Sequence, residues 1–188
     1  METILSIDFS ILNGIQQLRC GFLDTVLSSL SSIGHAGIVW IVLSILLLFF
    51  KKTRAAGVIA LLAMGFGYLM GDIVIKPLVQ RPRPFLTENA MNLFRNADTY
   101  LSTPSGFSFP SGHSCAAAAF ATVLLVKNRT LGLIALIPVL TMMFSRLYLY
   151  VHFPSDVLCG ALLGVLSATL MLFIFRKTKL DVKLSPHA

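Results

Sequence analysis

Five long apolar stretches follow one another along this chain, and no other feature of the sequence restricts its fold as strongly. They cover residues 34–50, 55–75, 114–126, 131–150 and 157–175. A helix that crosses the hydrocarbon core of a bilayer needs roughly 17 to 25 mainly apolar residues. With 56% hydrophobic residues, 12% charged residues and a mean hydropathy of +0.82, the chain is predicted to be all-α, an integral membrane helical bundle of about five transmembrane helices.

Two longer segments lie outside these stretches. Residues 1–33 carry isoleucines at helical spacing with polar residues such as Asp8 between them, and this pattern predicts two interfacial helices. Residues 80–110 are polar, contain proline and lack periodicity, so this loop must lie outside the hydrocarbon. We therefore predict a single membrane-embedded domain, with the interfacial helices followed by a transmembrane core in 34–175 and a cytoplasmic tail in 176–188.

Basic residues near the ends of the apolar stretches predict the orientation of the chain. Nine of the fifteen Lys and Arg residues fall on one side of the predicted bundle: Lys51, Lys52, Arg54, Lys127, Arg129, Arg176, Lys177, Lys179 and Lys183. That side is predicted to be cytoplasmic. The opposite, extracytoplasmic face of the cell membrane then receives Lys76, Arg83, His113, Arg146, His152 and Asp156. The net charge of +7 is divided among short clusters, so nucleic acid is not an expected partner.

Three polar segments that border the spans carry a common pattern. The first is Lys76, six residues, then Arg83-Pro84; the second is Pro110-Ser111-Gly112-His113; the third is Ser145-Arg146, five residues, His152, three residues, then Asp156. In order and spacing, this pattern resembles the three-part signature of the type 2 phosphatidic acid phosphatase superfamily, which includes bacterial lipid phosphatases and the vanadium haloperoxidases. The resemblance implies an acid phosphatase/vanadium haloperoxidase-like helical core and a phosphate site with two catalytic histidines.

The residue types in these segments suit a phosphoryl group independently of the resemblance. A phosphoryl transition state spreads negative charge over three oxygens, and Lys76, Arg83 and Arg146 supply three cations to stabilise it. Ser111 and Gly112 open an apolar helix, where the N–H groups favour an anion and glycine permits close approach. We predict that these five residues bind the substrate phosphate.

Two histidines complete the predicted site, because metal-free phosphoryl transfer needs a nucleophile and a proton donor. His152 is followed four residues later by Asp156, whose carboxylate is expected to accept Nδ1–H and leave Nε2 to attack. His113, at the start of the helix that binds phosphate, is then expected to protonate the leaving group and later to activate water. The resemblance implies the same roles.

Three further residues are predicted to support the site. Asp72 lies one turn before Lys76, where it either holds the ammonium in place or only caps the end of the span. Arg81 adds a cation beside Arg83, which suits either a second phosphate or a lipid headgroup. Ser145 precedes Arg146 in the third segment and is expected to be a neighbour of the site.

No metal and no cofactor is predicted. No group of His, Cys, Asp and Glu residues has the spacing of metal ligands, and a strongly cationic cradle repels divalent ions. Catalysis is therefore expected to survive chelators. The three cysteines show no CxxC spacing. His35 and His187 have no partners in sequence and are expected to be structural or solvated.

These inferences favour a hydrolase that removes phosphate from a membrane lipid. We predict undecaprenyl pyrophosphate as the substrate, because an outward-facing site meets that carrier in the leaflet where it is released. Phosphatidic acid and phosphatidylglycerol phosphate are the alternatives. A lipid phosphotransferase would use the same residues, whereas a non-enzymatic lipid transporter would be expected to show internal repeats, which the sequence lacks. A soluble haloperoxidase would not need five apolar spans.

A lipid chain needs an apolar path to such a site. Small Gly and Ala residues along the second and third spans are expected to leave a lateral groove for an acyl or prenyl chain. Apolar residues of the long loop are expected to cover its mouth: Phe85, Leu86, Met91, Leu93 and Phe94.

Overall fold

The architecture was derived from a computed structural model, which describes residues 2–33, 37–87, 104–180 and 184. Every regular element in this part of the chain is helical, so the predicted all-α class is confirmed. The elements are α1 (Glu2–Gln16), α2 (Gly21–Ile33), α3 (Ile38–Leu48), α4 (Arg54–Tyr68), a π-helical segment (Leu69–Ile75), α5 (Lys76–Val79), a 3-10 turn (Pro84–Leu86), α6 (Gly112–Lys127), α7 (Arg129–Tyr148) and α8 (Pro154–Thr178).

Three helical stretches of the described chain are long and apolar enough to cross a membrane. They are Arg54–Leu86, Arg129–Tyr148 and Pro154–Lys177. Helices α3 and α6 are apolar but shorter: the 16 residues of α6 extend only about 24 Å against a hydrocarbon thickness of roughly 30 Å. The predicted membrane character is confirmed, whereas the count of five spans is not.

The two helices predicted near the N-terminus are present as α1 and α2. Both pack on the end of the bundle where α7 ends and α8 begins. The side-chain amide of Gln16 donates to the backbone carbonyl of Tyr148 at 3.1 Å, and the Tyr148 hydroxyl donates to Asp24 at 3.0 Å. The position of these helices at the membrane interface stays a prediction.

Helix α6 lies at the centre of the bundle, where it packs against α4, α7 and α8. Three of its alanines are at most 3% exposed and belong to a core shared with Trp40, Ile59 and Val139, namely Ala117, Ala119 and Ala121. Small residues let neighbouring backbones approach closely. A Cβ atom on Gly160 would lie 2.3 Å from the carbonyl oxygen of Ser111, and one on Gly164 would lie 2.2 Å from that of Cys115.

The close approach of α6 and α8 fixes the position of their first turns. Gly160 and Gly164 lie on one face of α8, so the first turns of α8 and α6 are held side by side. A backbone hydrogen bond of 3.0 Å from Ser111 N to Asp156 O joins the two helix starts directly.

Successive long helices run in opposite directions, which gathers the predicted site at one end of the bundle. Lys76 follows α4 and the π-helical segment, His113 begins α6, Arg146 ends α7 and Asp156 begins α8. The basic clusters at residues 51–54, 127–129 and 176–179 fall at the opposite ends of these helices. Lys183 lies outside the described residues.

Candidate active site

One cavity of about 380 Å³ opens where these helix ends meet. Its polar wall is formed by Asp72, Lys76, Arg83, Gly112, His113, Arg146 and His152. Its apolar wall is formed by Gly37, Ile41, Leu61, Met64, Gly65, Tyr68, Pro104, Cys115 and Ala116. The tertiary structure thus brings together the residues of three separate sequence segments that the pattern predicted to converge.

Lys76 reaches the cavity from the helix that follows the π-helical segment. Its Nζ donates to Oδ1 of Asp72 four residues earlier. Asp72 also reaches the start of α6, since a Cβ atom on Gly112 would lie 2.9 Å from Oδ2 of Asp72. The ion pair with Lys76 is the contact required by the first predicted role of Asp72, in which it holds the ammonium in place. A π-helical turn often marks such a functional position.

Arg83 is only 4% exposed and is held by backbone carbonyls. Its Nε donates to Gly106 O at 2.9 Å, Nη1 to Val151 O at 3.0 Å and Nη2 to Ser105 O at 3.2 Å. These acceptors are neutral, so they orient the guanidinium without cancelling its charge. The planar fork is therefore presented to the cavity as a full cation.

Arg146 is also 4% exposed, and its neighbours are neutral as well. Its Nε and Nη2 donate to the hydroxyl of Ser145 at 3.3 and 3.2 Å, and that hydroxyl donates to Met142 O at 2.7 Å. The predicted neighbour Ser145 thus positions this guanidinium. Among the described residues, no carboxylate lies within 4.0 Å of Arg83 or Arg146.

Two buried guanidiniums without a carboxylate partner are costly unless an anion joins them. The cavity lining as a whole carries three cations and one carboxylate, a formal charge of +2 with both histidines neutral. That charge matches a phosphate dianion.

The ring orientation of His152 follows from its hydrogen bonds. Its Nδ1 lies 2.8 Å from the carbonyl oxygen of Ser108. Because a carbonyl can only accept, Nδ1 must carry the proton, and Nε2 keeps its lone pair. Nη1 of Arg83 lies 3.2 Å from Nε2 and donates to it. The predicted nucleophilic nitrogen therefore faces the cations of the cavity.

Asp156 is placed differently from the expectation. Its Oδ2 lies 3.7 Å from Nδ1 of His152, which is too far for a hydrogen bond. The same oxygen accepts the backbone N–H of Phe153 at 2.8 Å, and Oδ1 accepts Nη1 of Arg81 at 2.6 Å. Asp156 therefore caps the start of α8 and acts on His152 through its charge, because the Ser108 carbonyl already occupies the Nδ1 position.

His152 is 3% exposed, and this burial lowers the pKa of its imidazole below the ordinary value of 6.5. The positive charges of Arg83 and Arg146 lower the pKa further, while Asp156 raises it in part. Desolvation is the largest of these effects, because it disfavours the charged form. The ring is consequently neutral near pH 7, as a nucleophile requires.

The start of α6 contributes backbone and His113 to the cavity. Ser111 is fully buried and caps the helix: its hydroxyl accepts from Ser114 N at 3.3 Å and from Ser114 Oγ at 3.0 Å. The backbone N–H of Ser111 donates to the backbone carbonyl oxygen of Asp156. Ser111 therefore lies behind the cavity, whereas Gly112 and His113 line it, where a helix N-terminus favours an anion.

Arg81 lies behind the site and does not line the cavity. Its Nη1 donates to Asp156 Oδ1 and at 2.7 Å to Ser155 Oγ, and its Nη2 donates to Asp8 Oδ2 at 2.7 Å. The guanidinium also stacks 3.9 Å above the centre of the Phe153 ring. This position places Arg81 among the supporting residues, and its charge is already used by two carboxylates.

Two of these contributors were not identified from the sequence. Ser108, whose carbonyl orients His152, lies in the predicted loop and carries no signal, because any residue supplies a carbonyl. Asp8 carried a weak signal, because it is the one acid of the apolar helix α1 after Glu2 at its first position. It is 2% exposed, and a buried carboxylate needs a partner.

Several predicted positions lie outside the described residues, namely His35, Met91, Leu93, Phe94 and His187. Phe85 packs against a small cluster formed by Leu12, Tyr150 and Phe153, and Leu86 is exposed. Within the described ranges, no group of three or more His, Cys, Asp or Glu residues is arranged to hold a metal ion.

Residues 56–179, about two thirds of the chain, match the PAP2 superfamily. The chain belongs to this superfamily, so the resemblance seen in the three segments is confirmed. Several of the relatives that it matches are named as lipid phosphatases, and together with the family match they confirm the predicted class of hydrolase, which acts on lipid phosphate esters.

Among these relatives, the chain is 35% identical over 129 residues to an undecaprenyl-diphosphatase of Sulfolobus acidocaldarius, covering 67% of the chain and 58% of that protein. It thus spans little more than half of that enzyme. It is 35% identical over 153 residues to a decaprenylphosphoryl-5-phosphoribose phosphatase of Mycobacterium tuberculosis, covering 78% of the chain and 76% of the relative.

Solved structures share the fold. The crystal structure of a transmembrane PAP2-type phosphatidylglycerolphosphate phosphatase of Bacillus subtilis has a TM-score of 0.72 at 27% identity, covering 94% of this chain and 88% of that one. LpxE of Aquifex aeolicus has a TM-score of 0.66 at 28% identity, covering 87% and 93%. The helical bundle described above is therefore the membrane PAP2 fold.

Proposed function

We propose that this chain is a metal-independent lipid phosphatase that works through a phosphohistidine at His152, with undecaprenyl pyrophosphate as its preferred substrate. The observation that carries the proposal is the continuity of the cavity. Its cationic end, with Lys76, Arg83 and Arg146, joins an apolar groove between α3, α4 and α6. A phosphate attached to a long apolar chain matches both parts at once.

The reaction follows from the two histidines that line the cavity. Nε2 of His152 attacks phosphorus, an N–P bond forms, and the P–O bond to the leaving group breaks. His113 gives its proton to the departing oxygen. Neutral His113 then takes a proton from water, the water oxygen attacks phosphorus, and inorganic phosphate leaves as the N–P bond breaks.

The cations act on charge that develops during this transfer. Nη1 of Arg83 lies 3.2 Å from Nε2 of His152, and Nη2 of the same guanidinium has a second N–H besides the one that donates to Ser105 O. A phosphate oxygen bound to that N–H is brought close to the nucleophile. Arg146 and Lys76 approach from α7 and α5. Fixed cations in a site that excludes water stabilise the transition state more than mobile solvent does.

The choice of substrate rests on the groove and on the relatives. An undecaprenyl-diphosphatase and a decaprenylphosphoryl-5-phosphoribose phosphatase are both named for polyprenyl substrates. Gly65 and Ala116, on the two helices predicted to form a groove, both line its wall. Arg81 lends no support to a second phosphate, because Asp8 and Asp156 occupy it.

A glycerolipid phosphate is the second candidate. Phosphatidylglycerophosphatase B of Bacillus subtilis is 30% identical over 179 residues and covers 88% of this chain. The cavity residues would be the same for this substrate, since the phosphate site does not depend on the chain that enters the groove.

The deciding experiment measures phosphate release by the purified protein in detergent with EDTA. Undecaprenyl pyrophosphate, phosphatidic acid and phosphatidylglycerol phosphate are compared by kcat/KM, with His152→Ala as the blank. A higher value for undecaprenyl pyrophosphate supports the proposal. A higher value for both glycerolipids would reject the substrate while retaining the reaction, and loss of activity with EDTA would reject metal independence.

We further propose that the site faces the extracytoplasmic side of the cell membrane. The basic clusters at residues 51–54, 127–129 and 176–179 lie at the opposite end of the bundle, and such clusters favour the cytoplasm. A tag after residue 188 should then be protected from external protease in intact cells. Accessibility of that tag would reverse the orientation.

A further inference from the structure

The helix nearest the N-terminus contributes a buried carboxylate to the far side of the active site. Asp8, in α1, is separated by more than 140 residues from the start of α8, yet the two are joined directly. Asp8 Oδ1 accepts Ser155 N–H at 2.9 Å, and Asp8 Oδ2 accepts the Ser155 hydroxyl at 2.5 Å. Asp8 is thus a cap supplied by another helix to the first turn of α8.

The same carboxylate continues into a chain of charged groups. Asp8 Oδ2 accepts Nη2 of Arg81 at 2.7 Å, and Nη1 of the same guanidinium donates to Asp156 Oδ1 at 2.6 Å. The other oxygen of Asp156 lies 3.7 Å from Nδ1 of His152. Arg81 therefore divides its charge between a carboxylate beside the nucleophile and one on α1.

We propose that Asp8 is a positioning residue of the active site, which acts through Arg81 and Asp156 on the orientation and basicity of His152. The inference rests on the proposed function, in which His152 is the nucleophile. Helix α1 is then part of the catalytic unit as well as a helix on the surface of the bundle.

The physical reason is the charge balance next to His152. Asp8, Arg81 and Asp156 together carry a net charge of −1. Removing the charge of Asp8 makes the group neutral and disfavours the imidazolium, whereas removing the charge of Arg81 leaves −2 and favours it. Buried charges at short range are screened weakly by salt.

Other charged groups also face His152, and they stay the same in all of these variants. They are Arg83 from the segment before the 3-10 turn, Arg146 from α7, His113 from α6, and Asp72 and Lys76 from the π-helical segment and α5. The hydrogen bonds and ion pairs given above for Arg83, Arg146, Asp72 and Lys76 go to groups other than Asp8. A change in the pKa of His152 in these variants therefore reports the group of three.

The test measures the pKa of His152 by NMR of the full-length protein in detergent, labelled with 15N-histidine, with His152→Asn used to assign the signal. Asp8→Asn should lower the pKa of His152 and Arg81→Gln should raise it, each by at least about 0.3. The double variant restores the net charge of −1 and should bring the pKa back towards the wild-type value.

Asp24→Asn is the matched control. Asp24 is the corresponding acid of α2, bonded to Arg19 Nε at 3.3 Å and to the Tyr148 hydroxyl at 3.0 Å, and it has no contact with the three-residue group. It should leave the pKa of His152 unchanged, although it too removes a charge from the N-terminal helices.

Enzyme kinetics provide a second test of the role of Asp8. Asp8→Asn should lower kcat about tenfold with little change in KM, since it touches none of the groups that bind phosphate. An unchanged pKa of His152 in folded Asp8→Asn, or shifts of the same sign in Asp8→Asn and Arg81→Gln, would overturn the inference. A wild-type protein that hydrolyses no lipid phosphate would reject the proposed function, while the NMR result still decides the role of Asp8.

Discussion

The carbonyl oxygen of Ser108 lies 2.8 Å from Nδ1 of His152 and determines which ring nitrogen carries the proton. A backbone carbonyl has no other protonation state, so this assignment does not change with pH. Asp156, at 3.7 Å from the same nitrogen, supplies charge and holds the start of α8. The tautomer and the electrostatic support of the nucleophile thus come from two different residues.

This division of roles predicts different losses for the two neighbours of the nucleophile. Asp156→Asn keeps the Ser108 hydrogen bond and therefore the tautomer, so kcat should fall about 10- to 100-fold. His152→Ala should lose about four orders of magnitude or more. Initial rates at saturating lipid would compare them. Equal losses in the two variants would show that Asp156 is as essential as the nucleophile.

Trapping of the intermediate tests the chemistry of His152. Wild-type protein quenched during turnover of a 32P-labelled substrate should carry a label that is stable in alkali and lost in acid, as a phosphohistidine is. His152→Ala should carry none. His113→Ala should retain some label if a substrate with a good leaving group is used, since His113 is needed chiefly to protonate the leaving oxygen and to activate water. A label that persists in His152→Ala would place the nucleophile elsewhere.

The lowered pKa of His152 sets the acid side of the pH profile. Since the folded protein binds this proton less readily than the unfolded chain does, kcat/KM should stay high as the pH falls through 6.5 and decline only below it. The lowered pKa of His152 also makes stability depend on pH. Above pH 6.5 the histidine is neutral in both the folded and the unfolded state and does not affect the free energy of unfolding. As the pH falls from 6.5 towards the lower pKa of the folded state, the unfolded chain takes up the proton first, and the free energy of unfolding decreases. An acid limb of the kcat/KM profile with its half-point above pH 6.5 would contradict this prediction.

A bulky residue in the apolar groove should separate lipid binding from chemistry. A Cβ atom on Gly65 meets no other atom within 4 Å, and Gly65 lines the cavity, so the side chain of Gly65→Leu is expected to extend into the groove and fill it. KM for a long-chain lipid should rise about tenfold, or ~1.4 kcal/mol. Hydrolysis of a soluble phosphate monoester should be unaffected. Gly14→Leu, on α1 and equally open, is the control.

The close contact between α6 and α8 should be intolerant of added atoms. Gly164→Val places side-chain atoms where the Cys115 carbonyl already lies 2.2 Å from the Cβ position, and it should lower the free energy of unfolding by about 1–3 kcal/mol or more. Gly14→Ala, with open space around it, should raise it by roughly 0.5 kcal/mol. Thermal unfolding in detergent measures both, and a Gly164→Val protein as stable as the wild type would show that the helices can separate.

Much of the fold and of the site was open to prediction because the signals were local. Apolar runs alone indicated a helical membrane protein, since hydrocarbon tolerates little else. The residue types of Lys76, Arg83, Ser111, Gly112 and Arg146 predicted a phosphate cradle, and all of these residues except Ser111 line one cavity. The spacing of Gly160 and Gly164 is also a local signal, since small residues four positions apart allow two helices to approach closely.

Other features depended on contacts between distant segments and were decided only by the tertiary structure. The residue types of Asp156 and Ser111 suggested partners for a histidine and a phosphate, yet both are helix caps. The Ser108 carbonyl is bonded to Nδ1 of His152, while Asp156 accepts the Phe153 N–H and the Ser111 hydroxyl accepts the Ser114 N–H. Arg81 pairs with Asp8, 73 residues away, because a buried carboxylate needs hydrogen-bonded, oppositely charged partners to offset its desolvation. A sequence specifies which groups can bond, but the choice among competing partners is made by the distances that packing of the helices allows.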